Sequence, residues 1–196
     1  MNYLAHAYLS FNHPEVLVGN MISDFVKGKK KFDYPKGIQK GILLHREIDR
    51  YIDEHETLKI VKDIFRPDYR LYCSAIIDVI FDHFLAVDEN EFNEEKLKSF
   101  TKETYDTLSL YTSFFPEQFS MMFPYMKTQN WLYNYQYKWG IEKSLGGLVR
   151  RAAYMKESET AYRLFNENYS FLKTCYHAFF PGVKRLALDF LQKNEN

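Results

Sequence analysis

The stretch AIIDVIFDHFLAV, residues 75–87, decides the fold class. Ten of its thirteen residues are apolar, and they do not alternate with polar ones as a half-buried strand requires. A helix apolar nearly all round must be buried. Three residues break the pattern. Asp78 and Asp82 stand at i and i+4 and leave one helix face, and His83 lies about 100° further round. Burying a bare carboxylate costs several kcal/mol or more unless it is paired or binds a metal. Two readings stay open: a buried network of ion pairs and hydrogen bonds, or a metal or catalytic site.

The same anomaly recurs outward along the chain. In GILLHREIDRYIDEH, His45, Asp49 and Asp53 fall at successive i+4 steps among Ile42, Leu43, Leu44, Ile48 and Ile52. In LVGNMISDFVKG, Asn20 and Asp24 are spaced i, i+4 on a segment otherwise nearly all apolar. His6 sits between alanines in NYLAHAYL. Four anomalies of one chemical kind on separate helices describe a bundle whose interior converges on a His/Asp cluster, as bundles build metal sites. The expected metal ligands are His6, Asp24, His45, Asp49, Asp78 and Asp82. Carboxylate and imidazole without thiolate suit Mn²⁺, Fe²⁺ or Mg²⁺ more than structural Zn²⁺.

Periodicity elsewhere supports an all-α reading with one domain over residues 1–196. No period-2 strand and no internal repeat stands out, and 8 Gly with 6 Pro are few for a chain that must turn often. The patterns predict helices over 2–11, from Pro14 to Lys27, and from Ile38 to Asp53. Others are expected over Asp68–Val87, Glu94–Leu110, Gln129–Trp139, Ile141–Met155 and Glu157–Phe179. Pro116 and Pro124 are expected to break 111–128 into short pieces, and Pro181-Gly182 to end a helix before a last one reaching about Gln192.

Charge and composition exclude several classes. Lys+Arg 26 against Asp+Glu 26 gives no net charge, so neither nucleic acid nor membrane is an expected partner. No run of about 18 apolar residues exists, and the first fifteen residues lack the regions of a secretory signal. Cys73 and Cys175 form no CxxC, which fits a reducing cytoplasm and small core residues. No GxSxG, P-loop, GxGxxG or HExxH is present, so serine hydrolase, NTPase and dinucleotide readings have no support. Aromatic residues reach 18%, a large payload for a core.

Two charged features remain. GGLVRR ends in Arg150 and Arg151, a residue type that matches phosphate oxygens bidentately. Residues 27–46 carry seven basic side chains (Lys27, Lys29, Lys30, Lys31, Lys36, Lys40 and Arg46) against Asp33 alone. That is either a solvated run or a dock for an acidic partner.

With these residues assembled, the chain resembles the acyl carrier protein phosphodiesterase family. MNYLAHAYLS is similar to that family's MNFLAH start, and GNMISDFVKG to its GN-x-x-x-DFV-x-G motif. HREIDRYID and DVIFDHFL are similar to its H-x-x-ID and D-x-x-x-DHFL motifs. NWLYNY, GLVRR and FFP follow in the same order, so the resemblance spans essentially the whole chain.

The resemblance implies an all-α enzyme related to HD-type metal phosphohydrolases and using Mn²⁺. Here the dipeptide reads Asp82-His83, the reverse of the usual His-Asp. The implied reaction hydrolyses the phosphodiester between 4'-phosphopantetheine and the serine of holo-acyl carrier protein. Asp24 is then expected to be indispensable, with His45 and His83 as further catalytic groups, a histidine protonating the leaving serine oxygen. Arg150 and Arg151 are expected on the phosphoryl group, and Lys27, Lys29, Lys30 and Lys31 against the acidic carrier. The rival expectations are a metal phosphohydrolase acting on nucleotides or other small phosphoesters, and a non-catalytic carrier-binding module.

Overall fold

The computed structural model describes residues 1–193, and every regular element among the described residues is helical. Helix α1 (Tyr3–Tyr8) leads into α2 (Pro14–Ile22), which begins with Pro at its first position, where the missing N–H costs nothing. Two short 3-10 segments, Ser23–Phe25 and Gly28–Asp33, connect to α3 (Lys36–Glu54). Then follow α4 (Glu56–Tyr69), α5 (Cys73–Ala86), α6 (Glu94–Leu110), α7 (Glu117–Thr128), α8 (Trp131–Asn134), α9 (Lys138–Arg151), α10 (Glu159–Glu167) and α11 (Tyr169–Lys193). No helix is long and apolar enough to cross a membrane among the described residues.

Helix α5 is the interior helix that its sequence demands. Ile76, Ile77, Val79, Ile80, Phe81, Phe84 and Leu85 are all buried. Around it, Phe81 and Phe84 meet Phe165 and Tyr169 on one side and Tyr176 and Phe179 on the other, at ring separations of 5.1–6.2 Å. The aromatic surplus is therefore largely core.

Several boundaries differ from the sequence expectation. The expected helix over Asp68–Val87 begins only at Cys73, because Arg70 takes φ 46° and the chain turns there. Residues 56–69, for which no helix was expected, form α4, burying Leu58, Val61, Phe65 and Tyr69 at i+3 and i+4 spacings with Pro67 in the last turn. Pro124 and Pro181 lie inside α7 and α11 and do not end them. An interior proline costs about 3 kcal/mol, but α11 buries Tyr176, Phe179 and Phe180 before Pro181 and Val183, Ala187 and Leu191 after it. Each such apolar burial contributes roughly 1.5–3 kcal/mol for the larger side chains, so packing outweighs propensity. The expected helix over 157–179 is instead two, parted at Asn168.

One close approach positions the polar residues. A Cβ on Gly19 would stand 2.0 Å from the Ile38 carbonyl oxygen, and one on Gly41 2.2 Å from that of Val16. Only two glycines let α2 and α3 touch backbone to backbone. The crossing sets Asn20, one residue beyond it on α2, against His45, one turn beyond it on α3.

Candidate metal centre

His6 on α1 and His45 on α3 stack face to face, with ring centroids 3.9 Å apart and planes 14° apart. Both are buried, and both are oriented by Asn20. The His6 Nδ1–H donates to the Asn20 side-chain oxygen at 2.8 Å. The His45 Nδ1–H donates to the Asn20 main-chain oxygen, also at 2.8 Å. The Asn20 amide nitrogen in turn donates to the His6 carbonyl and to Ser10 Oγ, which fixes its oxygen as an acceptor. One residue, through its side chain and its main chain, thereby sets the tautomer and tilt of two imidazoles and directs both Nε2 atoms the same way.

The two Nε2 atoms meet carboxylates. His45 Nε2 lies 3.1 Å from Asp24 Oδ1 and 3.1 Å from Asp49 Oδ2. His6 Nε2 lies 3.7 Å from Asp49 Oδ1, is buried, and has no hydrogen-bond partner. Burial, the neighbouring His45 and the N-terminal ammonium hold His6 well below the usual imidazole range, so it is neutral with a bare lone pair. Burial also acts to lower His45, but hydrogen bonds and charge from Asp24 and Asp49 overcome it and hold the ring up at about 9. The His45 contact in turn keeps Asp24 below its ordinary value, with Arg151 among the smaller causes.

These residues fit a divalent cation. One donor atom each from His6, His45 and Asp49 lies within 4.8 Å of the others. The Nδ1–H of each histidine is engaged by an amide oxygen, the outer contact by which metal-binding imidazoles are held. A buried nitrogen lone pair with nothing to bond is costly in a finished protein core, and a cation would be a fitting partner for it. Asp24 adds an exposed carboxylate at the rim.

On helix α5 the buried polar groups find partners within the protein. Asp82 accepts the main-chain N–H groups of Asn2 (3.1 Å), Leu4 (2.7 Å) and Ala5 (3.3 Å). It caps the start of α1, whose first amides have no partner within their own helix. His83 has both nitrogens engaged, Nδ1 with the Tyr135 carbonyl at 2.7 Å and Nε2 with the Tyr169 hydroxyl at 2.9 Å. Burial drives it down to about 4, so it is a neutral bridge between α8 and α11. These contacts account for the buried polarity of both residues. Asp78 lies at the edge of the cluster. Its Oδ1 accepts from the Met1 ammonium at 2.6 Å, and its carboxyl is pushed up chiefly by burial, with Asp49 and Asp24 adding to it.

The remaining charged residues also sort themselves. The Arg151 guanidinium approaches Met122 Sδ on α7 at 3.9 Å and faces the centre, whereas that of Arg150 lies beside Gly146 and Gly147 of its own helix. Asp53 pairs with Lys62, away from the histidines. Lys27, Lys29 and Lys30 are exposed on the 3-10 segment that follows Asp24, with Lys31 partly covered. Asn20 and Ser10 were the orienting residues that sequence reasoning did not assign. The signal for Asn20 was its polarity inside α2.

Comparison with known proteins adds identity to this geometry. The family model described as acyl carrier protein phosphodiesterase matches residues 1–183. The chain is 29% identical over 188 residues to a protein of Klebsiella pneumoniae named acyl carrier protein phosphodiesterase, covering 95% of this chain and 97% of that one. Proteins with the same name from Yersinia pestis and Serratia proteamaculans are 28% and 27% identical, with similar coverage of 95% and 97%, and of 96% and 98%, respectively. No solved structure matches.

Proposed function

The chain belongs to the acyl carrier protein phosphodiesterase family, and from that premise we propose that it hydrolyses the phosphodiester joining 4'-phosphopantetheine to the serine of holo-acyl carrier protein. The products are the apo-carrier and free 4'-phosphopantetheine. The observation that carries the reading is the bare, buried Nε2 of His6, facing Asp49 beside the His45–Asp24 pair.

His6, His45 and Asp49 are the side chains that would hold the ion, with Mn²⁺ the best fit to a thiolate-free donor set and Mg²⁺ or Fe²⁺ as alternatives. A divalent ion there supplies Lewis-acid stabilisation of phosphoryl charge and acidifies a water toward neutral pH. Asp24, a carboxylate open to solvent beside the centre, accepts a hydrogen from the attacking water and aims it at phosphorus. Water oxygen joins phosphorus, the bond to the serine oxygen breaks, and that oxygen leaves with a proton. Arg151, whose charge reaches Asp24, neutralises the phosphoryl oxygens as this happens. Asn20 holds both imidazoles in register throughout.

The substrate is a protein, and its class is acidic. The exposed lysines at 27, 29 and 30, with Lys31, lie a few residues past Asp24, and they are the surface over which an acidic carrier docks with its modified serine toward the centre. Incubating the protein with holo-carrier and Mn²⁺ and weighing the carrier by mass spectrometry tests the reading. The expected result is loss of the 4'-phosphopantetheine mass, abolished by EDTA and restored by Mn²⁺. An unchanged carrier mass refutes it.

A further inference from the structure

Asp24 is the most loosely housed group of the centre. Its side chain is 65% exposed, so packing does little to place it. Where the carboxylate stands is decided by the main chain, in the 3-10 turn Ser23–Phe25 that joins α2 to the basic segment. A 3-10 turn has poorer hydrogen-bond geometry than an α-helix, and this one is closed by the Val26 N–H donating to the Ser23 carbonyl at 2.9 Å. On its outer side Phe25 leans on Phe119 of α7, with ring centroids 5.7 Å apart.

Side-chain hydrogen bonds fasten the same turn to α3. Ser23 Oγ donates to the Ile42 carbonyl at 3.4 Å, a long contact. Arg46 makes the short one, its guanidinium donating to the Val26 carbonyl at 2.9 Å. Val26 is buried and has left the helical conformation, at φ −107° and ψ 98°. Its carbonyl therefore needs a partner from outside the turn. Arg46 directly follows His45 in α3. One helix thus carries His45 and Asp49 and, through Arg46, grips the segment that bears Asp24 two residues before the gripped carbonyl.

We infer that Arg46 is a positioning residue: it bolts the Ser23–Phe25 turn to α3 and so sets where the Asp24 carboxylate stands relative to His45 and Asp49. The inference rests on the phosphodiesterase reading and adds to it a residue that acts through Asp24. It also divides the basic run. Charge counting groups Arg46 and Lys40 with the lysines at 27–31, yet Arg46 binds the Val26 carbonyl and Lys40 the Leu191 carbonyl at 2.9 Å. These two cations hold the chain to itself.

Arg46→Met keeps an apolar stem and removes the donors, whereas Arg46→Lys keeps a donor for the one carbonyl. The first measurement needs no substrate. In amide hydrogen exchange of manganese-loaded protein, Arg46→Met is expected to speed exchange across residues 24–27 at least about tenfold, and Arg46→Lys to stay within about threefold of the parent. Bound manganese should be equal in all three proteins. On holo-carrier, Arg46→Met is expected to lower kcat at least about tenfold, part of the roughly 100-fold that a 1 Å misplacement costs. KM should stay within about threefold, and Arg46→Lys should restore kcat. Unchanged exchange at 24–27 in Arg46→Met overturns the inference. A raised KM with kcat unaltered also overturns it, by marking Arg46 as a docking charge, and so does loss of manganese, by placing the effect at the ligands. If the parent protein leaves holo-carrier intact, the phosphodiesterase reading fails, and the exchange measurement still decides the bolt.

Discussion

Helices α3 and α5 pose the same problem in opposite ways. Each carries histidine and aspartate at i, i+4 spacing or next to it, α5 as a buried helix and α3 as an amphipathic one. On α5 the problem is closed: Asp82 receives three main-chain N–H groups and His83 has a partner on each nitrogen. Where α1 meets α3, His6 Nε2 is left without a partner, and two carboxylates gather around His45. Buried polarity therefore does not by itself mark a site. What marks it is bonding capacity that the protein leaves unspent.

The contrast can be broken most forcefully at the centre. Asp24→Ala is expected to cut turnover by at least about 1,000-fold, since it removes a group used only in the transition state, while carrier binding survives. Single-turnover rates and a separate binding assay check this. Substantial turnover without Asp24 would place the water-orienting group elsewhere. His6→Ala should remove tight Mn²⁺ binding, read by metal analysis after dialysis, and leave the helical content intact.

The α5 side should show the reverse, a loss of stability with no specific loss of metal. Asp82→Ala strands three amides at the start of α1, and each unsatisfied buried group costs roughly 1–3 kcal/mol. A drop of at least about 3 kcal/mol in urea unfolding is expected. If the variant is as stable as the parent, the capping role is wrong.

His83 gives the pH dependence its sign. Its folded value is depressed to about 4, while the unfolded chain titrates near 6.5, so between those values the unfolded state holds the extra proton. Stability is complete above about pH 6.5 and falls as pH drops toward 4, by on the order of 3 kcal/mol. His83→Gln should flatten that part of the profile. An equally steep acid limb in the variant would assign it to other groups.

The smallest effect is expected at the rim. Replacing Lys29, Lys30 and Lys31 with glutamate should raise KM for the carrier about tenfold at low salt with kcat nearly constant, because rim charges act chiefly on association. The difference should shrink as salt rises. An unaltered KM at low salt would show that the lysines are only a solvated loop.

Helices with a broad apolar face were legible at once, α3, α5 and α6 among them. Helix α4 was not, although Leu58, Val61 and Phe65 carry the spacing. The continuity of α11 through Pro181 was hidden because a proline judged by its local cost ends a helix. Only the burial of residues on both sides tells that packing exceeds the penalty. Within the acidic run at 88–95, Asp88 is buried against Tyr176, and Glu91 binds Lys184 at 2.6 Å.

From composition and periodicity alone this chain is all-helical, with a His/Asp set drawn from four segments and no thiolate among the donors. Residue type and spacing suffice for that, because they fix which side chains share a helix face and which chemistry each can offer. Which of those side chains meet was decided in three dimensions. Two glycines let α2 touch α3 and bring Asn20 to both imidazoles. The start of α1 falls where Asp82 can cap it, and Tyr135 and Tyr169 close over His83. A buried polar group is stabilised by whichever partner the packing delivers, and partners far apart in the chain are delivered only by the fold.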